Sequence, residues 1–247
     1  MTGIKKSKYR KKDLGDSKQI LDALAEISEA VTSDLYLDDI LKLIVNVTAK
    51  AMGSKICSLL RLDKTNNELV VKATQSISDV YNKKPNIKAG GGIAGMVAKE
   101  GKPITVLDVR KDERYLNRNI AKREKLCSLL CVPLVFKGKV IGVLNSYTSK
   151  PHKFSKEEIN ILKSVANQAA IVIENFRLVV ESKVIKEELE SRKVIERAKG
   201  ILMRQETISE EEAYNKIRKY SMDSRKSMRE VSEAIIVSED MKKSAQK

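Results

Sequence analysis

The apolar positions of this chain change period along its length, and each change marks an element. Ile20, Leu24, Ile27 and Val31 step by 4, 3 and 4, which predicts a helix with a narrow seam from Asp16 to about Ser33. A broader face of Ile40, Leu41, Ile44, Val47 and Thr48 predicts a second helix from Leu37 to Met52, ended by Gly53. The pattern then becomes that of strands. Ile56 to Leu62 and Glu68 to Thr74 are β-rich runs parted by Asp63-Lys64-Thr65-Asn66-Asn67, whose turn residues predict a hairpin. Ser128 to Phe136 and Lys139 to Tyr147 predict another across Lys137-Gly138, with Pro133 marking an edge or a bulge. Between the hairpins lie a helix from Ile93 to Lys99, a short strand from Pro103 to Val106, and a polar helix or loop from Asp112 to Lys125.

A long helix begins at Ser155, where Glu158 three residues on completes a capping signal. Along it Ile159, Leu162, Ala166, Ala169, Ile173, Phe176 and Val180 alternate steps of 3 and 4, an unbroken heptad seam. So narrow a stripe predicts pairing with another helix; packing on the chain's own sheet is the alternative. No proline follows Pro151 and Gly200 is the only glycine beyond Gly142, so residues 151 to 247 can be almost wholly helical. Arg177 to Lys193, charged and weakly patterned, reads as a helical linker. Three helices fit residues 181 to 240: one ending near Glu206, one capped by Ser209 with Glu212, and one from about Ser224 to Ser238. The expected fold class is α+β, with an antiparallel sheet and flanking helices, a long connecting helix, and then an all-α three-helix region.

Charge adds direction to this outline. Forty-eight bases against 33 acids leave a net charge of +15, which favours an anionic partner. Residues 1 to 12 carry six bases and no acid, an arm that reads as a solvated tail. Residues 181 to 247 are nearly balanced at +2, so an anion site there must come from the arrangement of its bases. Cys57, Cys127 and Cys131 form no CxxC or Cys/His cluster, which points to structural thiols in a reducing compartment. The longest apolar run, Cys127 to Phe136, is too short for a bilayer span, so the expected location is the cytoplasm, with no membrane partner.

Enzyme chemistry finds little support. Gly90-Gly91-Gly92-Ile93-Ala94-Gly95 contains G-x-G-x-x-G, but the loop Tyr81 to Asn86 precedes it where a dinucleotide site needs a buried strand. A flexible turn into a helix is the better reading. No P-loop, nucleophile elbow or metal cluster occurs, and the single histidine, His152, stands beside Pro151 in a loop.

The C-terminal helices offer more. On a helical projection Val194, Ile195, Ala198, Ile201 and Leu202 share one arc, while Lys193, Arg197, Gly200 and Arg204 lie opposite. Arg192, Lys199 and Met203 adjoin them, giving an outer face of five bases around a glycine where a phosphate could approach the backbone. Glu190 and Glu196 are too few to neutralise that strip. On the third helix Met228, Val231, Ser232 and Ile235 form the buried side, flanked by Arg225, Lys226 and Arg229, while Ala213 and Ile217 pack between helices. Tyr214 and Tyr220 either stack on bases or, the commoner use, pack in the core.

Two resemblances follow. The order helix, helix, hairpin, Gly-rich turn, strand, Asp-containing loop, strand pair, long helix resembles a GAF domain over residues 16 to 178. The residues that carry it are Gly90 to Gly95, Pro103, Asp108-Val109, Asp112, Arg114-Tyr115, Ser128, Val132-Pro133-Leu134, Gly138 and Ile141 to Leu144. That resemblance implies a sensory role, a small-molecule effector of unknown identity, and dimerisation through flanking helices. The cyclic-nucleotide motif and a Cys-His bilin site of such domains are not found in the sequence. Residues 179 to 247 are set apart as a second domain with a short C-terminal tail, and about 182 to 240 of it resembles an ANTAR domain, an RNA-binding antiterminator module, through Val194 to Met203, Ile208 to Tyr214, Ile217-Arg218, Ser221-Met222 and Arg225-Lys226. Met228 and Ser232 stand where Leu and Ala are more usual. The two resemblances together imply a non-enzymatic, homodimeric antiterminator that grips leader RNA hairpins with Lys193, Arg197, Lys199, Gly200, Arg204, Arg225, Lys226 and Arg229. A DNA-binding regulator and a protein–protein signalling module are the alternatives. Residues 1 to 15 are set apart as the basic tail.

Overall fold

A computed structural model describes Ala25, Glu26 and Glu29, all helical, and residues 36–245. The seam from Ile20 to Val31 and the basic arm fall outside the described residues. The chain divides into two compact units that part between Phe176 and Arg177.

The first unit begins with α1 (Leu37–Ala51) and the hairpin of β1 (Ile56–Asp63) and β2 (Glu68–Thr74). Short α2 (Asp79–Asn82), β3 (Ile87–Lys88), α3 (Gly92–Glu100), β4 (Ile104–Val106) and α4 (Arg118–Arg123) follow, then β5 (Leu129–Phe136) and β6 (Lys139–Tyr147). The strands form one six-stranded sheet in the order β3-β2-β1-β6-β5-β4, antiparallel throughout. The β1–β2 turn closes where Asp63 accepts from the Thr65 N–H at 2.9 Å, and Asn67 takes positive φ. At the β5–β6 turn Lys137 and Gly138 both take positive φ, the twist that two-residue hairpins prefer. Pro133 is tolerated because β4 pairs only with Leu129 to Cys131, which leaves that side of β5 open at the proline.

Each sheet face has its own core. On one, α1 sets Ile40, Leu41, Ile44 and Val45 against Leu59, Val132 and Leu144 of the sheet. The start of α5 (Lys156–Glu206) joins them, with Leu162, Ala166, Ala169 and Ile173 all buried there. The first part of the heptad seam is therefore spent on the chain's own sheet, a correction to the expectation of pairing along its whole length. The 3-4 spacing that suits a coiled coil also lays a stripe of small residues flat on a sheet. Phe176 and Val180, further along, are exposed.

The opposite face carries Ile56, Leu60, Leu129, Cys131, Val143 and Tyr147 under α3 and the segments bearing Tyr81 and Tyr115. The glycine-rich turn makes this cover close. Gly90 and Gly92 take positive φ, and a Cβ at Gly95 would meet the Lys88 carbonyl oxygen at 2.4 Å. No strand feeds this turn from a parallel unit, so it is a turn into α3 and not a dinucleotide site.

The second unit consists of α5 from Arg177 onward, α6 (Glu210–Ser224) and α7 (Met228–Ala245). Thr207, at positive φ, ends α5. Ser209 and Glu212 form a capping box at α6, and Ser227 with Glu230 does the same for α7. The third helix thus starts at Met228 and runs on to Ala245, not from Ser224 to Ser238, because Ser227 supplies the cap and no breaker follows. A small core of Ala198, Leu202, Ala213, Ile217 and Val231 holds the three helices together. Ser232 is buried beside it with its hydroxyl oxygen unpartnered.

Candidate nucleic-acid interface

The side chains singled out in the sequence occupy three different environments in the helical unit. Arg204 near the end of α5, and Arg225 and Lys226 between α6 and α7, are exposed and form no ion pair among the described residues. Lys193, Arg197 and Arg229 are exposed too, but each has a carboxylate. Lys193 Nζ donates to Glu190 at 3.0 Å, Arg197 to Asp240 at 3.2 Å, and Arg229 Nε to Glu233 at 2.8 Å. Such solvated pairs are weak and readily exchanged for another anion.

Lys199 differs from both groups. Its side chain is only 8% exposed, and its Nζ donates to Glu196 at 2.9 Å and to Glu210 at 2.7 Å. The hydrogen bond to Glu210, then that to Glu196, holds the ammonium above its ordinary range, and Glu210 is pulled down in return. Lys199 therefore ties α5 to the first turn of α6 instead of standing on an open strip. The projection of one helix placed its angle correctly but could not supply Glu210, which comes from the next. For the same reason the count of acids near the strip fell short, since Asp240 and Glu210 arrive from other helices.

Gly200 faces open space: a Cβ added there would meet nothing within 4 Å outside the helix's own backbone. Its lack of a side chain is no packing requirement, and the backbone there is open to approach from outside the helix. Arg225 is held at φ 55° and ψ 31°, the left-handed position that ends α6. The Lys226 N–H reaches the Ser221 carbonyl at 3.2 Å and the Arg225 N–H that of Met222 at 3.4 Å, a Schellman ending. Glycine would sit there with less strain, so the arginine is kept at a conformational cost of about 1 kcal/mol.

Tyr214 and Tyr220 lie outside the core, contrary to the commoner expectation, and Tyr220 is 64% exposed. Ala213 and Ile217 take the buried positions of α6, which turns Tyr214 and Arg218, one turn apart, outward. Arg218 and Lys219 were missed as site candidates; both are exposed, and among the described residues neither is in an ion pair. The i, i+4 spacing of Tyr214 and Arg218 next to the buried pair was the available signal. The result is a surface of aromatic and cationic side chains on α6, continued by Arg225 and Lys226 in its cap.

Other chemistry is sparse. Among the described residues no group of three or more His, Cys, Asp or Glu could hold a metal, and no helix is long and apolar enough to cross a membrane. His152 contacts Glu158 at 2.8 Å and packs edge-on to Phe154, a local structural role.

Comparison with known proteins gives both units a family. A GAF domain model matches residues 34–174 and an ANTAR domain model matches residues 184–236. The methyl sulfide methyltransferase-associated sensor of Methanosarcina acetivorans is 26% identical over 165 residues, which is 65% of this chain and 16% of that protein. A phosphoenolpyruvate-dependent phosphotransferase system protein of Escherichia coli is 24% identical over 159 residues, 64% of this chain and 21% of its own length. The chain thus spans about a fifth or less of these curated relatives. Among solved structures, the GAF domain of a phosphoenolpyruvate-protein phosphotransferase from Coxiella burnetii matches with a TM-score of 0.60 and 27% identity, covering 66% of this chain and 98% of that one. A free methionine-R-sulfoxide reductase from Neisseria meningitidis shares the fold at 22% identity and a TM-score of 0.56. With more than half of its residues matched by the GAF model and the ANTAR match directly after it, the chain belongs to the GAF domain family and carries an ANTAR domain behind its GAF domain.

Proposed function

We propose that this protein is a signal-responsive transcription antiterminator of the cytoplasm, a regulator and not an enzyme. Its C-terminal helices bind hairpins in nascent leader RNA, and the GAF unit governs when they do. The observation that carries this reading is the set of exposed cations outside any ion pair among the described residues, Arg204, Arg225 and Lys226, with Arg218 and Lys219 on α6. Phosphates complete such a set, and Gly200 leaves room for a sugar-phosphate backbone to come close. Tyr214 and Tyr220 offer ring faces to unstacked bases, which hairpin loops present and duplexes do not. Lys193, Arg197 and Arg229 give up solvated carboxylates for phosphates at small cost. Lys199 acts by positioning α6.

Control runs through α5, whose first turns belong to the core of the GAF unit and whose last turns belong to that of the helical unit. Phe176, Val180 and Val184 form an exposed apolar stripe between these two parts, and a second copy of the chain covers it in a homodimer. An effector bound by the GAF unit biases that pairing, so α5 is the two-state element.

RNA cross-linked to the full chain in cells supplies the ligand for the test. The wild type binds that hairpin in a filter assay, and an Arg204→Glu, Arg225→Glu variant with unchanged melting does not. Equal competition by duplex DNA at matched salt overturns the reading in favour of a DNA-binding regulator.

A further inference from the structure

The cover over the second face of the sheet turns one of its cations onto an aromatic cluster. Lys84 follows α2 directly, and its Nζ stands 3.9 Å from the centroid of the Tyr81 ring. No ion pair or side-chain hydrogen bond of the described residues involves it. Its side chain lines a cavity of about 20 Å³ together with Tyr115, Tyr147, Ile87, Ile93 and Leu129. The groups that surround the amine come from separate elements: Tyr81 on α2, Tyr115 on the segment before α4, Cys131 on β5 and Tyr147 on β6. All are uncharged at neutral pH, since burial pushes the tyrosines and the thiol up. Burial likewise pushes Lys84 down, to about 7.

The same cluster is rich in hydrogen-bonding capacity. Tyr115 Oη donates to Tyr147 Oη at 3.2 Å, and Tyr81 Oη pairs with Ser58 Oγ at 2.8 Å. Asn145, two residues before Tyr147 and on the same sheet face, is 1% exposed, and its Oδ1 has no partner. A half-buried amine outside any ion pair and a buried amide oxygen without a donor are each costly. Asn145 lies on the sheet face that Lys84 helps to cover. The outer wall is slight: Leu116 is 61% exposed and rests over Gly92, where a Cβ would meet its Cγ at 2.8 Å. The present space admits roughly one water molecule, so an occupant is small and displaces Leu116 outward.

We propose that this cavity recognises a short-chain carboxylate that also carries a hydrogen-bond donor, as a hydroxy acid or amino acid does. The carboxylate pairs with Lys84, and the donor is met by Tyr115, Tyr147 and the side-chain amide of Asn117, which line the same cavity. The inference rests on the sensor role given to the GAF unit above and names the class of its effector. Tyr81, Tyr115 and Tyr147 stack edge to face with centroids 6.2 Å apart and restrict the site to slim ligands.

The test is calorimetric titration of the full chain with acetate, L-lactate and glycine, against acetamide and lactamide as uncharged counterparts and inorganic phosphate as a different anion. The wild type should bind L-lactate or glycine saturably and at least about tenfold more tightly than either amide or phosphate. At pH 8 the amine is mostly neutral, so carboxylate binding should take up close to about one proton, read from buffers of different ionisation enthalpy. Lys84→Met should erase the carboxylate preference. Lys84→Arg should keep the preference without proton uptake, because guanidinium is already charged, and it decides the matter if Lys84→Met does not fold. Absence of saturable carboxylate binding by the wild type overturns the proposal, as does equal binding by Lys84→Met, unchanged proton uptake in Lys84→Arg, or a preference for phosphate. Filter binding of the hairpin RNA by the same preparations is read separately, so failure here and failure of the antiterminator reading are told apart.

Discussion

The two units of this protein deploy unpaired cations in opposite ways. In the GAF unit one such cation is turned inward: Lys84 sits over Tyr81 among neutral rings, where one small anion can meet it. In the helical unit the cations are several and turned outward, with Arg204, Arg225 and Lys226 presented to solvent. Exposure decides the difference. A half-buried charge interacts more strongly with one partner and is screened less by salt, whereas exposed charges act together on a polyanion and are screened more. The cores differ in parallel, since the GAF unit buries a large cluster on each sheet face and the helical unit holds together on five residues.

The largest effects expected are on folding, and they should be confined to one unit at a time. Leu162→Ala opens a cavity in a large core and should cost about 2–5 kcal/mol, lowering the melting of the sheet unit while its fold survives. Ile217→Ala costs a similar amount from a much smaller total, so α6 and α7 should melt at room temperature with the near-ultraviolet signal of the buried tyrosines retained. A single shared transition in both variants would show that the units are not energetically separate.

Next comes binding. Reversing Arg204 and Arg225 to Glu should weaken hairpin binding by about 100-fold or more, near 2.7 kcal/mol, without changing either melting transition. Lys84→Met, measured without carboxylate, should leave RNA affinity within about twofold. If the inner substitution alone reduced binding as much as the outer pair, the division of labour would be wrong.

Two substitutions in the helical unit separate stability from binding on a smaller scale. Gly200→Ala adds a methyl group where nothing outside the helix is within 4 Å and should stabilise α5 by about 0.5–1 kcal/mol, yet reduce RNA affinity several-fold by keeping a phosphate off the backbone. Arg225→Gly relieves the left-handed cap and should raise melting by about 1 kcal/mol while removing one contact. Thermal melts and filter binding on the same samples read both signs.

The smallest effect is the response to acid. Glu212 is held down by the Ser209 backbone N–H, Glu230 by the Ser227 hydroxyl, and Glu210 by Lys199. Each folded-state value lies below the unfolded one, so the stability they confer is complete above about pH 4.3 and fades as pH falls through the folded values. Helicity of the second unit should therefore decline first on acidification, and Glu212→Gln with Glu230→Gln should flatten that decline.

Much of this architecture is legible in the sequence, and the failures have a common origin. The hairpins follow from turn residues such as Lys137-Gly138, and the α6 cap from Ser209 with Glu212, because these signals act within a few residues. What failed depended on partners distant in the chain. The heptad seam could not say whether Leu162 and Ala166 meet a sheet or another copy, and Lys199 could not disclose Glu210. Lys84 carried no signal at all. Its significance needs Tyr147 and Cys131, more than forty residues later, to close over an otherwise ordinary loop lysine.

The central claim is that the outward cations of the helical unit grip folded RNA and not phosphate in general. Competition at fixed, moderate salt between a cross-linked leader hairpin and duplex DNA of equal charge, on the full chain, tests it most directly. The account predicts at least a tenfold preference for the hairpin, abolished in the Arg204→Glu, Arg225→Glu variant. Equal affinity for both, or a hairpin preference that survives the double reversal, would contradict it.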